Sequence, residues 1–352
     1  MKQKIFKYDS AFKLENGFQL PNLEVAYHTY GTLNKNKDNV IWVCHALTAN
    51  SDVFDWWKGL FGTNDLFNPK DYFIVCANNL GSCYGTTGPL SVNAYTGHPW
   101  FSLFPDVTIR DLVNAHDLLR IHLGIQQIHT VIGGSQGGQQ VLEWNVLRPE
   151  IFEHAIVIAT NAKHSPWGIA FNESQRLAIK ADRTYYSNFP NGGEKGLAAA
   201  RSIALLSYRN AHTYNESQKE LHDEKVNDFN AASYQRYQGK KLVDRFNAYS
   251  YVTLTNAMDS HNLARNRISI EKSLASISAN TLVIGVSSDL LFPNQEQEYI
   301  ATHLKNGALH FIDSFYGHDG FLLETKSLTQ HIQKFYNNNK FNKKKQNNLI
   351  IK

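Results

Sequence analysis

The segment TVIGGSQGG, residues 130–138, decides the predicted fold. It has the form G-x-S-x-G, with Gly133, Ser135 and Gly137 at the fixed positions. A run of β-branched residues precedes the turn, and the sequence QQVLEW at 139–144 is typical of a helix. The bare pattern also occurs in ordinary loops, but a strand, a tight turn and a helix in this order indicate a nucleophile elbow. Small neighbours let strand and helix approach closely, so we expect the Ser135 hydroxyl to project into a pocket.

Apolar runs on both sides of this elbow predict a mostly parallel, doubly wound sheet. Continuous apolar runs are typical of strands that are covered on both faces. They occur at residues 40–44, 72–77, 128–132, 155–159, 281–286 and 308–312. Apolar residues recur at helical spacing at 108–123 and 139–147, and this alternation of strands with helices predicts an α/β fold. Residues 5–30 alternate apolar and polar side chains around Asn16-Gly17, which predicts an antiparallel hairpin.

The middle of the chain has a different character. Residues 165–275 contain no strand-like run of length, and they are predicted to form helices separated by turns. A helical cap inserted into the α/β core fits this pattern, because catalytic pockets often need a lid; a separate domain or a dimerisation arm is the alternative. The core is then expected at residues 1–164 and 276–336. The Asn- and Lys-rich tail at 337–352 is predicted to be disordered.

The amino-acid composition excludes several classes of protein. The 352 residues are 42% hydrophobic and carry a formal net charge of +4, much of it from lysines in the segment 340–345. The rest of the chain is close to neutral, so we expect no surface suited to nucleic acid. Cys44, Cys76 and Cys83 form no C-x-x-C pair and are expected to be buried, reduced thiols. Since the sequence shows no secretory signal and no membrane span, we expect a soluble cytoplasmic protein.

Two loops late in the chain can supply the partners that a serine nucleophile needs. An unactivated serine is a poor nucleophile, so Ser135 requires a base and a residue that orients the base. After an elbow these partners follow in the order acid, then histidine, each on the loop after a later strand. Asp289 follows the strand at 281–286, and His318 follows the strand at 308–312. The sequence therefore predicts a Ser135, Asp289, His318 triad; the alternatives are a helix N-cap for the aspartate and a surface or structural role for the histidine.

Two backbone amides are predicted to bind the oxyanion of the tetrahedral intermediate. One is the N–H of Gln136, directly after the nucleophile, and the other is the N–H of Leu47 in the loop HALT at 45–48. Removing one such donor typically costs about 2.7–4 kcal/mol of transition-state stabilisation. The backbone amides at these two positions therefore matter more than the side chains.

Five blocks of sequence carry a resemblance to a known enzyme family. They are HALT at 45–48, NLGSCYGTTGP at 79–89, FPDVTIRD at 104–111, GGSQGGQQVLEW at 133–144 and GHDGFLLE at 317–324. Together, over roughly residues 10–335, they resemble the homoserine O-acyltransferases of methionine biosynthesis, an α/β-hydrolase-fold family. The resemblance implies an α/β-hydrolase fold. It also implies acyl transfer from acyl-coenzyme A to the hydroxyl of L-homoserine through an acyl-Ser135 intermediate.

The resemblance also implies residues that bind the acceptor. The segment RSIALLSY at 201–208 is similar to the family segment whose Arg holds the homoserine carboxylate and whose Tyr lines the pocket, which points to Arg201 and Tyr208. Asp319 resembles the residue that pairs with the amino group, and Thr48 resembles a residue beside the substrate. A zwitterionic amino acid needs one cation and one anion on opposite sides of the reacting hydroxyl, so the pair is chemically sensible.

Several points at the site stay open in the sequence. Arg176 is a competing pocket arginine, and a solvated or structural role is the alternative for Arg201. The chain has Gln136 where the family usually has Met and Ser82 where Gly is usual; both changes are expected to reshape the acyl pocket while the oxyanion amide is kept. Acetyl is the preferred acyl group because it is the family's commoner choice. Succinyl is the alternative, and its carboxylate would need a further cation.

Other functions fit the same residues. Serine could replace homoserine as acceptor, water could take the acyl group in a simple esterase, or the fold could bind a ligand without catalysis. We expect no metal and no cofactor beyond acetyl-CoA or succinyl-CoA as co-substrate. The partners are expected to be small molecules, without nucleic acid or membrane. A homodimer formed through the cap is implied by the family alone.

Overall fold

The computed structural model describes residues 2–350, with side chains for residues 2–339. Ten strands lie in this part of the chain: β1 (Lys4–Tyr8), β2 (Phe12–Lys13), β3 (Gln19–Leu20), β4 (Leu23–Tyr30), β5 (Val40–Cys44), β6 (Phe73–Ala77), β7 (Ile128–Gly134), β8 (Phe152–Ile158), β9 (Asn280–Val286) and β10 (Gly307–Ile312). Eight of them form one sheet in the order β1-β4-β6-β5-β7-β8-β9-β10. Strands β6, β5, β7, β8, β9 and β10 pair in parallel, and β4 and β1 extend the sheet antiparallel at one edge. The mostly parallel sheet predicted from the sequence is confirmed.

Twelve α-helices accompany the strands within the described residues. They are α1 (Val53–Trp56), α2 (Ile109–His122), α3 (Gln136–Leu147), α4 (Pro166–Ala181), α5 (Glu194–Tyr208), α6 (Ala211–Ser217), α7 (Asn230–Val243), α8 (Ala248–Asp259), α9 (Ile270–Ala275), α10 (Asn294–His303), α11 (Gly320–Leu323) and α12 (Thr325–Ile350). Short 3-10 helices lie at Phe101–Leu103, Arg183–Tyr186 and Gly317–Asp319. Helix α2 begins with a capping box in which Thr108 and Asp111 satisfy each other's backbone amides.

The antiparallel start of the chain is also confirmed, with one difference. Strand β1 pairs with β4, so that Phe6 lies opposite Val25. The Asn16-Gly17 turn, however, closes the separate short hairpin of β2 and β3 instead of joining β1 directly to β4. Gly17 has a φ of 90° there, a conformation that glycine adopts without steric cost.

Strand β5 shows why the sheet must be covered on both faces. All five of its side chains are buried. Successive side chains of a strand point to opposite faces, and accordingly Val40, Trp42 and Cys44 belong to one hydrophobic core while Ile41 and Val43 belong to the other. Helices α2 and α3 contribute to the first core, and α12 contributes to the second. The sheet is therefore doubly wound.

Six helices, α4 to α9, are inserted between β8 and β9, and α5 packs against both α4 and α7. They occupy residues 166–275, the part of the chain for which a helical cap is predicted. The predicted disordered tail at 337–352 begins inside helix α12, and its side chains beyond Asn339, together with residues 351 and 352, lie outside the described residues. The prediction for the tail therefore stays a prediction.

Two of the three cysteines are buried in the sheet. Cys44 and Cys76 are buried free thiols, as expected, whereas Cys83 is a free thiol that is only partly buried. Among residues 2–350, no helix has both the length and the apolar character that crossing a lipid bilayer requires.

Candidate active site

Ser135 lies in the sharp turn between β7 and α3. Its backbone has a φ of 57° and a ψ of −126°, and non-glycine residues rarely adopt such a positive φ. Holding this conformation costs on the order of 1–3 kcal/mol, and strained positions of this kind cluster at functional sites. The hydroxyl of Thr160 donates a hydrogen bond of 2.8 Å to the Ser135 carbonyl, which holds the turn against the end of β8. The strand, turn and helix predicted for residues 130–144 are confirmed.

Two glycines allow this turn to close. A Cβ on Gly133 would lie 2.4 Å from the carbonyl oxygen of Gly137, and a Cβ on Gly137 would lie 2.1 Å from the carbonyl oxygen of Cys44. Because both obstacles are backbone atoms in packed strands and helices, they cannot move aside, and only glycine fits. Helix α3 therefore packs directly on β5 and β7, which leaves Ser135 at the carboxyl edge of the sheet.

Asp289 and His318 meet on the loops that follow β9 and β10. Nδ1 of His318 lies 2.6 Å from Oδ2 of Asp289. The other carboxylate oxygen accepts hydrogen bonds of 2.8 and 3.0 Å from the N–H groups of Leu291 and Phe292. Helix α10 begins only at Asn294, so Asp289 is not the N-cap of that helix. The carboxylate is instead buried and aimed at the imidazole.

The surroundings of His318 favour its role as a base. Burial alone lowers the pKa of its imidazole, but the negative charge of Asp289, the hydrogen bond to it and the charge of Asp319 outweigh burial, so the pKa is raised above the ordinary 6.5. Because Nδ1 is engaged by Asp289, Nε2 is the free basic nitrogen. Ser135 and His318 line the same cavity, so the structure brings the three predicted residues together.

The loop that carries Leu47 is fixed by a buried histidine. Nε2 of His45 accepts a hydrogen bond of 3.0 Å from the N–H of Asn79, and Nδ1 of His45 donates one of 2.9 Å to the carbonyl of Ala46. Burial lowers the pKa of His45 to about 4, so the ring stays neutral and can both donate and accept. Leu47 lines the cavity beside Ser135. Its position fits the predicted oxyanion loop.

Gln136 is the first residue of α3, where backbone N–H groups lack partners within the helix. Its side chain is fully buried, with Nε2 donating to the carbonyl of Leu254 at 3.0 Å and Oε1 accepting from the Asn79 amide at 3.2 Å. The side chain thus connects the elbow to helix α8. Ser82 lines a different cavity, and neither residue is among those that line the cavity beside Ser135. Neither side chain contacts that cavity directly, and the expectation that the two changes reshape the acyl pocket stays a prediction.

The cavity beside Ser135 has a volume of about 400 Å³ and lies between the sheet edge and the inserted helices. Its lining comes from the core loops, from α5 and from the end of α7. The lining residues are Ala46, Leu47, Thr48, Ala49, Asn50, Asp55, Trp56, Ser135, Arg201, Tyr208, Lys241, Arg245, His318, Asp319, Phe321 and Leu322.

All four residues implied for acceptor binding line this cavity: Arg201, Tyr208, Thr48 and Asp319. Arg201 and Tyr208 lie on α5, and the guanidinium carbon of Arg201 is 5.3 Å from the centre of the Tyr208 ring. Such a cation–π contact orients the guanidinium. Asp319 adjoins His318 and forms a 3.1 Å ion pair with Arg209, which was not predicted from the sequence. The cavity therefore offers a cation and an anion beside Ser135.

Arg176, the competing arginine, lies elsewhere. It is buried, and one guanidinium nitrogen lies 2.5 Å from Asp259 and 2.8 Å from Glu173. It is not among the residues that line the cavity. These contacts give Arg176 a structural role in the inserted helices, so of the two arginines that the sequence left in competition, it is Arg201 that lies at the site.

Two further cations line the cavity, Lys241 and Arg245, and neither was predicted from the sequence. Arg245 donates hydrogen bonds of 2.5 Å to the Thr48 carbonyl and 2.8 Å to the Tyr84 hydroxyl, which connects the inserted helices to the core. The only sequence signal is a pair of basic residues four apart, a spacing that would place both on one face of a helix, although α7 ends at Val243, before Arg245. Lys240 and Asp244 show the same spacing and face solvent instead, so spacing alone could not identify the pair.

One group of side chains in the described residues has the proximity of metal ligands. The donor atoms of His129, Glu153 and His154 lie within 4.8 Å of one another. These residues belong to the amino ends of β7 and β8, whereas Ser135 follows the carboxyl end of β7. The group therefore lies at the amino ends of the parallel strands, whereas the candidate active site lies at their carboxyl ends.

Comparison with protein families identifies the fold. Residues 39–325 match the family model described as alpha/beta hydrolase fold. Among solved structures, the homoserine O-acetyltransferase from Bacillus anthracis is 25% identical, with a TM-score of 0.87 over 95% of this chain and 97% of that chain. Esterase E22 is equally similar, at 25% identity and a TM-score of 0.87 over 95% of this chain and 99% of its own. The proteins of similar structure therefore include both a transferase and an esterase.

Sequence comparison is more specific. The homoserine O-acetyltransferase of Cyclobacterium marinum is 50% identical over 336 residues, which span 96% of this chain and 95% of that enzyme. Half of the residues are thus shared over nearly the whole length of both chains, inserted helices included. The chain belongs to the homoserine O-acetyltransferase family, a group of acyltransferases with the α/β-hydrolase fold.

Proposed function

We propose that the protein transfers an acyl group, preferably acetyl, from acyl-coenzyme A to the hydroxyl of L-homoserine, as a step of methionine biosynthesis. The observation that carries the proposal is the combination of charges in the cavity beside Ser135, where Arg201 and Asp319 lie on the lining together with His318. An amino-acid acceptor has one carboxylate and one ammonium group, and this pair complements both. The 50% identity to a homoserine O-acetyltransferase supports the same acceptor.

The first half-reaction loads the serine. His318 takes the proton of the Ser135 hydroxyl as the oxygen attacks the thioester carbonyl carbon, and Asp289 stabilises the imidazolium. The oxyanion accepts hydrogen bonds from the N–H groups of Leu47 and Gln136. When the intermediate collapses, the carbon–sulfur bond breaks, the imidazolium returns its proton to the leaving sulfur, and acyl-Ser135 remains.

The second half-reaction reverses the roles. Homoserine enters after coenzyme A has left, with its carboxylate at Arg201 and its ammonium group at Asp319. His318 removes the proton of the acceptor hydroxyl, which attacks the ester carbon of acyl-Ser135, and the same two amides hold the oxyanion. When this intermediate collapses, the bond between the acyl carbon and the Ser135 oxygen breaks, the imidazolium returns its proton to that oxygen, and O-acylhomoserine is released. The order of events is ping-pong.

An esterase is the second candidate, because esterase E22 matches the fold as closely as the transferase from Bacillus anthracis does. In that case water takes the acyl group from Ser135. Within the transferase reading, succinyl as donor group and serine as acceptor are the alternatives. The acceptor side of the cavity separates a transferase from an esterase, since only a transferase needs Arg201 and Asp319.

The decisive experiment measures coenzyme A release from acetyl-CoA and succinyl-CoA with L-homoserine, L-serine or no acceptor. We expect coenzyme A release to require homoserine. We also expect Arg201→Ala and Asp319→Ala to abolish acyl transfer to homoserine while hydrolysis of a small activated ester persists. Ser135→Ala is the inactive control, and Lys240→Ala, on an exposed helix face, is the unperturbed control. Release without acceptor would establish the esterase, and normal transfer by both variants would refute the acceptor site.

We propose a homodimer formed through the inserted helices, which expose large apolar side chains such as Tyr186, Leu206 and Phe229. A cytoplasmic location is supported by three cysteines without disulfides. The reaction needs only acyl-CoA as co-substrate, because nucleophile, base and oxyanion donors are all supplied by the chain.

A further inference from the structure

The cavity beside Ser135 has more positive charge than its acceptor requires. Arg201, Lys241 and Arg245 all line it, and the same three residues line an adjoining recess of about 90 Å³. Of the carboxylates around them, Asp244 pairs with Lys240 at 2.9 Å and Asp319 with Arg209 at 3.1 Å, while Asp55, which also lines the cavity, lies 3.8 Å from Lys58. In the part of the chain whose side chains are described, none of the three cations forms an ion pair within 4 Å. One acceptor carboxylate neutralises only one of them.

The side chains of the three cations differ in how deeply they are buried. Arg201 is half-buried and packs over Tyr208, whereas Lys241 and Arg245 are exposed. Among the described side chains, Arg245 donates hydrogen bonds to neutral oxygens only, the carbonyl of Thr48 at 2.5 Å, the hydroxyl of Tyr84 at 2.8 Å and the hydroxyl of Thr48 at 3.4 Å. A guanidinium has five N–H donors, so two remain for a ligand. Lys241 and Arg245 therefore form a basic rim at the mouth of the cavity, above a deeper Arg201.

The size of the cavity suggests what this rim contacts. At about 400 Å³ it is near the small end of ligand pockets, which suits an acceptor and the slender thioester arm of an acyl-CoA but not the nucleotide at the other end of that arm. Once the thioester reaches Ser135, the nucleotide must lie outside the mouth. Its phosphates are multiply charged, and Lys and Arg are the side chains that bind phosphate best.

We propose that Lys241 and Arg245 bind the phosphate groups of the nucleotide part of the acyl donor, while Arg201 is reserved for the acceptor carboxylate. The inference rests on the proposed function, because it assumes a coenzyme A thioester as donor. The carboxylate of a succinyl group is a less suitable ligand for the rim, since that group would be attached to the buried Ser135 whereas both cations are exposed.

The test compares two donors that share a thioester and differ in phosphate. Acetyl-CoA has the nucleotide, and S-acetyl-N-acetylcysteamine has none. Lys241→Ala is expected to raise KM for acetyl-CoA about tenfold, and Lys241→Glu more, with no change for the phosphate-free donor or for homoserine. Arg245→Gln, which keeps an amide donor for Thr48, is expected to show the same donor-specific rise. Lys240→Ala, one residue away and paired with Asp244, is expected to match the unaltered enzyme.

The possible outcomes separate this inference from the proposed function. If the Lys241 and Arg245 variants change KM equally for both donors, or for neither, the rim does not bind phosphate, although homoserine-dependent release would still support the transferase. The succinyl thioester of N-acetylcysteamine has an acyl carboxylate and no phosphate. If KM rises only for this donor, the rim binds the acyl carboxylate and the inference is wrong. Loss of the homoserine requirement with every donor would instead refute the proposed function.

Discussion

Asp289 and His318 are joined by a contact of 2.6 Å between Oδ2 and Nδ1, although they are 29 positions apart in the chain. The other oxygen of Asp289 is occupied by two backbone amides, those of Leu291 and Phe292. The carboxylate is therefore held rigidly, and so is the imidazole that it contacts. Because the bond leaves Nε2 as the basic nitrogen, the relationship determines which ring atom can accept a proton.

Replacing Asp289 with asparagine is expected to lower kcat by about 10⁴-fold, because the amide favours the wrong tautomer and cannot stabilise the imidazolium. The overall structure should persist, since an amide has nearly the same shape as the carboxylate. Steady-state kinetics with a small activated ester would measure the loss, and circular dichroism would verify the fold. A loss of less than tenfold would mean that His318 does not act through Asp289.

The pH dependence of activity follows from the pKa of His318. The base works in its neutral form, so kcat/KM should fall as the pH drops through that pKa, which lies above 6.5. In Asp289→Asn the larger of the two charges that raise the pKa of His318 is gone, and burial, which lowers the pKa, outweighs the smaller effect of Asp319, so the acid limb of the residual activity should move below pH 6.5. A pH profile of both proteins checks this. An acid limb at the same pH in both would assign it to another group.

Much of the site could be predicted because it depends on position along the chain. In a parallel sheet the carboxyl ends of the strands meet at one edge, so Ser135 after β7, Asp289 after β9 and His318 after β10 are brought together by topology alone. The apolar runs that define these strands are strong signals, because the strands are covered on both faces.

The inserted helices were harder to predict, because their orientation depends on tertiary packing. Nothing local distinguishes Lys241, which lines the cavity, from Lys240, which faces solvent. The ion pair of Arg209 with Asp319 joins residues more than a hundred positions apart. The Gln136 side chain likewise bonds to Leu254 on α8. Such contacts are set only when the helices dock on the sheet.

The strained backbone at Ser135 is expected to lower the stability of the protein, and only glycine at this position should relieve the strain. Ser135→Gly and Ser135→Ala both remove the nucleophile and should both lower activity about 10³-fold or more. Glycine adopts a φ of 57° without strain and alanine does not, so Ser135→Gly should be more stable than Ser135→Ala by about 1 kcal/mol. Urea denaturation of the two variants measures the difference. Equal midpoints would show that the turn is not strained.

The loop with Leu47 should depend on His45. Truncation in His45→Ala removes the hydrogen bonds to Asn79 and Ala46, so the Leu47 amide is expected to shift and kcat to fall about 10²-fold. Gln136→Met is the matched control, because it alters a buried side chain and keeps the oxyanion amide; its kcat should stay within about tenfold of the unaltered enzyme. Kinetics with a small activated ester compares them. A larger loss in Gln136→Met than in His45→Ala would contradict this account of the oxyanion hole.

Glu296, on helix α10, is expected to destabilise the fold at high pH. Burial raises the pKa of its carboxyl to about 7, and the charge of Asp289 adds to the rise, although hydrogen bonds from Asn161 and Ser165 oppose it. The native state therefore binds more protons than the unfolded state between pH 4.5 and 7, and stability falls as the pH rises through this range. Glu296→Gln removes the titration. The variant should equal the unaltered protein near pH 4.5 and exceed its stability above pH 7 by on the order of 2 kcal/mol. Urea denaturation at a series of pH values tests this, and a difference in stability that is independent of pH would show that the Glu296 carboxyl has an ordinary pKa.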